Sequence, residues 1–162
     1  MVNIGSWGSI TLDNIFQKNA YAVPERMAVT DAPNRAHFTL GEPIRWSYFE
    51  LQNYIENLAC CFLENGLKKD DIVTVQLPNI VELVAFYLTC ARIGLIANPL
   101  PIQYKAHEIH QVLPLTGSKA VVTSANIHGA NHAQMFSEML TDLPDVRQMM
   151  EMSFASMVIV FR

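Results

Sequence analysis

The chain has 162 residues, 51% of them hydrophobic and 16% charged, with a net charge of -4. That length supports one sizeable core with little room for a second domain, and the apolar balance excludes a disordered chain. No basic run exceeds Lys68-Lys69, so a nucleic-acid partner is not expected. The most apolar helix candidate, residues 80–93, is shorter than the about 20 residues of a membrane span and carries Glu82 and Arg92.

Residues 1–10 read as a loose leader. No basic residue precedes Lys18 and there is no apolar signal core, so a secretory signal is not expected. Met1-Val2 lacks the glycine that myristoylation requires. Three cysteines, Cys60, Cys61 and Cys90, fall in predicted helices without a CxxC pair. They read as small buried hydrophobes in a reducing compartment, and a cytoplasmic location is expected.

Thr11 is placed to cap a short helix over residues 12–20, with Leu12, Ile15 and Phe16 on one face and Asp13 near the positive end of the helix dipole. Pro24 stops anything longer. Residues 27–31 read as a strand. Residues 37–40 and 44–46 flank the turn Gly41-Glu42-Pro43, a pattern that predicts a hairpin. Ser47 followed by Glu50 is a capping box, with Trp46 and Leu51 in the positions of a hydrophobic staple. The helix that follows runs over residues 48–65 with Leu51, Ile55, Leu58, Ala59, Phe62 and Leu63 inward, and Gly66 ends it in the left-handed conformation.

Lys68-Lys69-Asp70-Asp71 is a solvated connector. Residues 72–77 form a strand rich in β-branched side chains. Pro78 ends it and Asn79 is placed to cap the helix over residues 80–93, which is apolar on nearly all sides and therefore buried. Gly94 closes that helix, and residues 95–98 form another strand. A weaker helix over residues 104–113 puts Ile109, Val112 and Leu113 inward before Pro114 blocks its continuation. Residues 120–124 form a strand and residues 132–141 a last helix. This alternation predicts an α/β fold: three layers, with a mostly parallel sheet and right-handed βαβ crossovers. The run 154–161 has no charge and no obvious partner in the chain. Left uncovered, such a strand drives aggregation or self-association.

Phosphate binding in such a sheet needs clustered glycines that let backbone amides approach the ligand. The seven glycines, Gly5, Gly8, Gly41, Gly66, Gly94, Gly117 and Gly129, form neither GxGxxG nor GxxxxGK[ST]. Gly5 and Gly8 cluster, but no strand leads into them. His107 and His110 lie three apart on a weak helix and read as a solvated face. His128 and His132 have the i, i+4 spacing of a zinc pair, but Gly129 interrupts them and they read as loop residues. No serine sits in GxSxG. Asp70 and Asp71 read as a charged turn, and Met135 and Met139 as a packed helix face.

Four stretches together resemble the N-terminal subdomain of the adenylate-forming (AMP-binding) superfamily, the acyl-CoA synthetases and their relatives. They are Trp46-Ser47-Tyr48-Phe49-Glu50-Leu51; Asp71-Ile72-Val73 through Leu77-Pro78-Asn79; the stretch from Cys90 to Leu100, with Gly94 and Asn98-Pro99-Leu100; and Glu108 to Ser124, with Ser118-Lys119-Ala120 entering a strand. The resemblance covers residues 11–148, and Asn98-Pro99-Leu100 is more similar to acid–CoA ligases than to amino-acid-activating domains. It implies an enzyme that uses ATP and Mg²⁺ to turn a carboxylic acid, fatty or aromatic, into an acyl-adenylate, and then passes the acyl group to CoA. The family's Ser/Thr/Gly-rich phosphate loop, its aromatic-Gly-x-Thr-Glu motif, its ribose-binding Asp and its C-terminal Lys match nothing in this sequence. No catalytic, cofactor-binding or metal residue is therefore carried over. The chain is expected to be an N-terminal fragment of such a ligase, inactive and without bound cofactor on its own, or else a non-catalytic association module derived from that fold. Asp70 stands where the family often has Gly, Pro114 interrupts a family helix, and the tail from residue 149 to 162 departs from the family pattern.

Overall fold

In a computed structural model, the structure describes residues 9–141, 148–151 and 157–161. Helix α1, Leu12–Ala22, starts where expected: the Thr11 hydroxyl accepts the Asn14 amide and the Asn14 side chain accepts the Thr11 amide. Its buried face is Phe16 and Ala20, whereas Leu12 and Ile15 are exposed, contrary to the sequence pattern. Phe16 and Ala20 pack with Leu51, Ile55, Ala85 and Leu88, so the contact is a stripe of the helix one turn further along.

Strand β1, Met27–Thr30, pairs antiparallel with β2, Arg45–Ser47, in a small sheet of its own. The expected hairpin around Gly41 does not form. Residues Arg35–His37 instead wind into a 3₁₀ turn, closed by the Phe38 amide on the Arg35 carbonyl at 2.9 Å. Arg35 is buried there, its guanidinium paired with Asp31 and Glu82. Helix α2, Tyr48–Glu64, follows β2 directly, with both halves of the Ser47/Glu50 capping box made. Leu51, Ile55, Leu58, Ala59 and Phe62 are buried as expected, but Leu63 is exposed. Gly66, at φ 84°, reverses the chain so that the Leu67 amide reaches the Phe62 carbonyl at 3.0 Å.

Three βα units follow. Strand β3, Ile72–Gln76, leads to helix α3, Val81–Ile93; β4, Ile96–Pro99, to α4, Ala106–Thr116; and β5, Ala120–Ser124, to α5, His132–Thr141. β3 lies between β4 and β5 and is parallel to both. Asp70 makes the turn into β3 at φ 71°, a left-handed conformation that Asp tolerates better than most residues, so the departure from glycine is accommodated. Asn79 does not cap α3. The N-cap is Ile80, which has no side-chain bond to offer, and the Val81 amide is instead taken by Asp31, fifty residues earlier in sequence, at 2.9 Å. Pro114 does not end α4 either. The helix continues to Thr116, and Gly117 at φ 65° returns its amide to the Leu113 carbonyl. Leu113 and Ile109 hold that last turn on the core.

The tail run finds a partner that the sequence did not reveal. Strand β7, Met157–Phe161, pairs antiparallel with β5 and with β6, Gln148–Glu151, which gives the order β4-β3-β5-β7-β6. The 1–10 leader lies outside the described residues except for 9 and 10, as do residues 152–156 and 162 of the tail.

The β3 and β5 part of the sheet is covered on both faces. Val73, Val75, Ala120 and Val122 pack on Phe62, Phe86 and Cys90 of α2 and α3. Val121, on the opposite face, packs on Ile109, Leu113, Phe136 and Met139 of α4 and α5. Burying each large apolar side chain stabilises the fold by about 1.5–3 kcal/mol relative to exposure. The α4/α5 face of β3 and β5 also carries Thr74, Gln76 and Thr123, all fully buried, and this polar row shapes the site.

Candidate functional site

The chain leaves β3 for one face of the sheet, through α3, and leaves β4 for the other face, through α4. Loops that part in this way open a crevice at the carboxyl ends of the strands, the switch point at which open α/β sheets take their ligands. A cleft of about 470 Å³ lies there, walled by Leu77-Pro78-Asn79 after β3, by Leu83 and Tyr87 of α3, and by residues 99–103 after β4. Its lining is mainly aliphatic and proline, with Asn79, Gln103 and the Tyr87 ring adding polar groups.

The wall formed by residues 100–104 is tied to the sheet at two places. The Leu100 amide donates to the Val75 carbonyl at 2.8 Å. The Gln76 side-chain amide donates to the carbonyls of Pro101 and Tyr104, both at 2.9 Å. Two carbonyl acceptors require the nitrogen of the Gln76 amide on that side, so its oxygen faces His132 Nδ1 at 2.9 Å. His132 therefore carries its proton on Nδ1, and its Nε2 lone pair faces Lys105 Nζ at 3.4 Å. Burial, then the positive charges of Lys105 and His128, hold the His132 pKa below its ordinary value. Sequence reasoning began the last helix at residue 132 yet read the His132 side chain as a loop residue; the helix start holds, and His132 is its first residue and is buried, with Gly129 turning the chain before the helix begins.

On the other side of α3 a buried ion cluster fixes the helix start. Arg35 donates to Asp31 at 2.5 Å and, through both terminal nitrogens, to Glu82 at 2.8 and 2.5 Å. Asp31 also accepts the amides of Ile44 and Val81, each at 2.9 Å. Burial opposes the Arg35 charge, but its hydrogen bonds and attraction to the two carboxylates outweigh that, and its pKa is raised. Sequence reasoning missed this cluster. The available signal was Glu82 in an otherwise apolar helix, since a buried carboxylate needs a partner. Thr39 and Ser124 hydroxyls meet at 2.7 Å, and the His128 amide reaches the Phe38 carbonyl at 2.9 Å. The 31–39 segment thereby joins the start of α3 to the end of β5.

The other residues singled out from sequence stay apart. His107 and His110 are exposed on α4, where His107 meets Gln111 at 3.2 Å. Asp71 closes its turn by accepting the Lys68 amide at 2.9 Å. Cys61 and Cys90 are buried but Cys60 is exposed, since Cys60 and Cys61 point in different directions from one helix. Among the described residues no three His, Cys, Asp or Glu side chains converge, and the buried acids Asp31 and Glu82 are engaged by Arg35. The left-handed glycines 41, 66, 94, 117 and 129 are separate turns and helix ends. Among the described residues no helix is long and apolar enough to cross a membrane.

A parallel three-strand unit with a crevice at its switch point defines a class of α/β ligand-binding architecture. Comparison with known proteins narrows it: the family model for AMP-binding enzymes matches residues 16–158, and the chain belongs to that family. It is 25% identical over 144 residues to the medium-chain fatty-acid–CoA ligase of Escherichia coli K12, covering 89% of this chain and 24% of that protein. It is 27% identical over 146 residues to the 2-hydroxy-7-methoxy-5-methyl-1-naphthoate–CoA ligase of Streptomyces carzinostaticus, covering 90% and 24%. In fold it resembles the inhibitor-bound N-terminal domain of FACL13 from Mycobacterium tuberculosis, with a TM-score of 0.66 at 21% identity, covering 83% of this chain and 30% of that one. The chain thus spans about a quarter of the length of the curated relatives it matches.

Proposed function

We propose that this chain is the N-terminal structural part, over residues 11–148, of an ATP-dependent acid–CoA ligase, and that it is inactive alone. The observation that carries the reading is the family match along the βα units that frame the switch-point cleft. In the reaction proposed for the whole enzyme, a carboxylic acid, fatty or aromatic, attacks ATP to form an acyl-adenylate and pyrophosphate, and CoA then takes the acyl group. ATP, Mg²⁺ and CoA would be held largely by parts of such a ligase beyond the quarter represented here. No residue of this chain is assigned a catalytic role, because charge developing on the transferred phosphate needs converging amides, cations and a metal. What the chain contributes in this reading is a wall of the cleft, built from Leu77, Pro78, Leu83, Tyr87 and residues 99–103. The reading places the protein in the cytoplasm, where its free thiols Cys60, Cys61 and Cys90 remain reduced, and gives it no nucleic-acid partner.

The test is acid-dependent exchange of labelled pyrophosphate into ATP by the purified chain, with ATP binding measured by calorimetry. Neither is expected. Robust exchange would overturn the reading that the chain is inactive alone. A second reading, a non-catalytic association module, is favoured by the exposure of Leu12, Ile15 and Tyr21 along α1. It expects sedimentation to show reversible self-association that weakens when Leu12 and Ile15 are replaced by Ser.

A further inference from the structure

We infer that Asn65-Gly66 is a site of spontaneous covalent modification, deamidation through a cyclic imide, which the end of α2 holds closed while the chain is folded. The inference rests on local geometry and stands whether or not the ligase reading is right.

The residue after an asparagine governs this reaction. A side chain there shields the main-chain nitrogen that must attack, and glycine has none. Asn65 is the one asparagine of the sequence that glycine follows. The step needs no co-reactant but water. The Gly66 amide nitrogen gives up its proton to base and attacks Asn65 Cγ. The N–Cγ bond forms, the Cγ–Nδ2 bond breaks, and the leaving nitrogen takes up a proton and departs as ammonia. Water then opens the five-membered imide at one of its two carbonyls. One opening leaves an ordinary chain with Asp at position 65; the other routes the main chain through Cβ as isoaspartate.

The folded structure opposes each requirement. The Gly66 amide proton is engaged by the Leu63 carbonyl at 3.0 Å. The Asn65 side chain is turned back onto the helix, where Nδ2 donates to the Cys61 carbonyl at 2.8 Å. Ring closure needs Cβ and the Gly66 nitrogen eclipsed about the Cα–C bond, and at ψ 13° Asn65 holds them far from eclipsed. Burial is not what protects the site. Asn65 is half-buried, Gly66 is exposed, and a Cβ added at Gly66 would meet no atom within 4 Å. Base and water therefore reach the nitrogen, and the hydrogen bonds and the torsion keep the ring from forming.

Neither product rebuilds the helix end. Asp at position 65 would set a carboxylate against the Cys61 carbonyl, next to Glu64 and the negative end of the α2 dipole. Isoaspartate would lengthen the chain just before the turn in which the Leu67 amide meets the Phe62 carbonyl at 3.0 Å. Leu67 is buried in one cluster with Phe62 and Val73, so the change reaches β3. Opening of the turn admits the reaction, and the product favours the open turn.

The test ages the intact chain in mildly alkaline buffer, native and in denaturant. Mass spectrometry then locates the amide-to-acid change within the peptide of residues 46–68, where Asn53 and Asn57 serve as internal controls. In denaturant Asn65 should convert well before Asn53 and Asn57, which precede Tyr54 and Leu58. In the native chain conversion at Asn65 should be about tenfold to a hundredfold slower, the scale of two hydrogen bonds that have to open first. Across temperature the native rate should track hydrogen exchange of the Gly66 amide. Asn65→Asp, which copies one product, should lower the unfolding midpoint in denaturant. No preference for Asn65 in denaturant would overturn the site. Native conversion at the denatured rate, or a native rate that ignores Gly66 exchange, would overturn the closure by α2. An unchanged midpoint in Asn65→Asp would overturn the effect assigned to the product. The site and its closure are read on the unmodified chain and do not depend on the variant folding.

Discussion

Replacing Arg35 by Ala tests the buried cluster at the start of α3 most directly. The Arg35 side chain is 1% exposed, and its partners Asp31 and Glu82 are 1% and 0% exposed. Removal of the guanidinium leaves two buried carboxylates facing a cavity with no cation between them. Breaking a buried pair by removing one partner costs about 3–5 kcal/mol, and two stranded acids place this case toward the upper end. A domain of this size loses about 2–4 °C of Tm per kcal/mol, so thermal melting followed by circular dichroism should show a fall of about 10 °C or more. Glu82→Gln, which keeps an acceptor and removes one charge, should cost less. A loss below about 1 kcal/mol for Arg35→Ala, within the range of surface substitutions, would refute the reasoning, because it would mean that water reaches both acids.

Three other substitutions or labels test separate parts of the account. Ser47→Ala removes the hydroxyl that accepts the Glu50 amide at 3.2 Å and should cost about 1 kcal/mol in denaturant unfolding; no loss would mean that the box is not formed in solution. Pro114→Ala restores a backbone donor inside α4, where proline is unfavourable, and should raise the Tm, whereas a fall would show that the ring itself packs. Under native conditions one thiol, Cys60, should react with a maleimide or an aromatic disulfide. Cys61 and Cys90 should react only on unfolding, since burial raises both thiol pKa values, that of Cys90 to about 12; fast modification of Cys90 in the native chain would contradict its position against the sheet.

Several local signals were legible because their physics is local, although the Gly41 hairpin, an Asn79 cap and a helix end at Pro114 did not form. Ser47 and Glu50 are three residues apart and need no tertiary partner to cap α2, and the same holds for Thr11 at α1. Gly66, Gly94 and Gly117 end helices because the left-handed conformation is a property of one residue. The alternation of strand and helix was enough for the α/β class, and the order of Trp46–Leu51, Leu77–Asn79 and Asn98–Leu100 was enough for the family. Wherever a partner lies far along the chain, only the tertiary structure decided. Leu12 and Ile15 carry the right periodicity but face solvent, because periodicity marks a stripe and packing chooses which stripe is used. Asp31 replaces Asn79 at the start of α3 because it is held there by Arg35 and the Ile44 amide, contacts that no spacing rule contains. β7 gains β5 and β6 as neighbours, since a strand's hydrogen bonds point sideways to whatever chain arrives. His132 acquires its single tautomer from Gln76, fifty-six residues away in sequence, because a proton's position on a ring is set by the atoms that surround it.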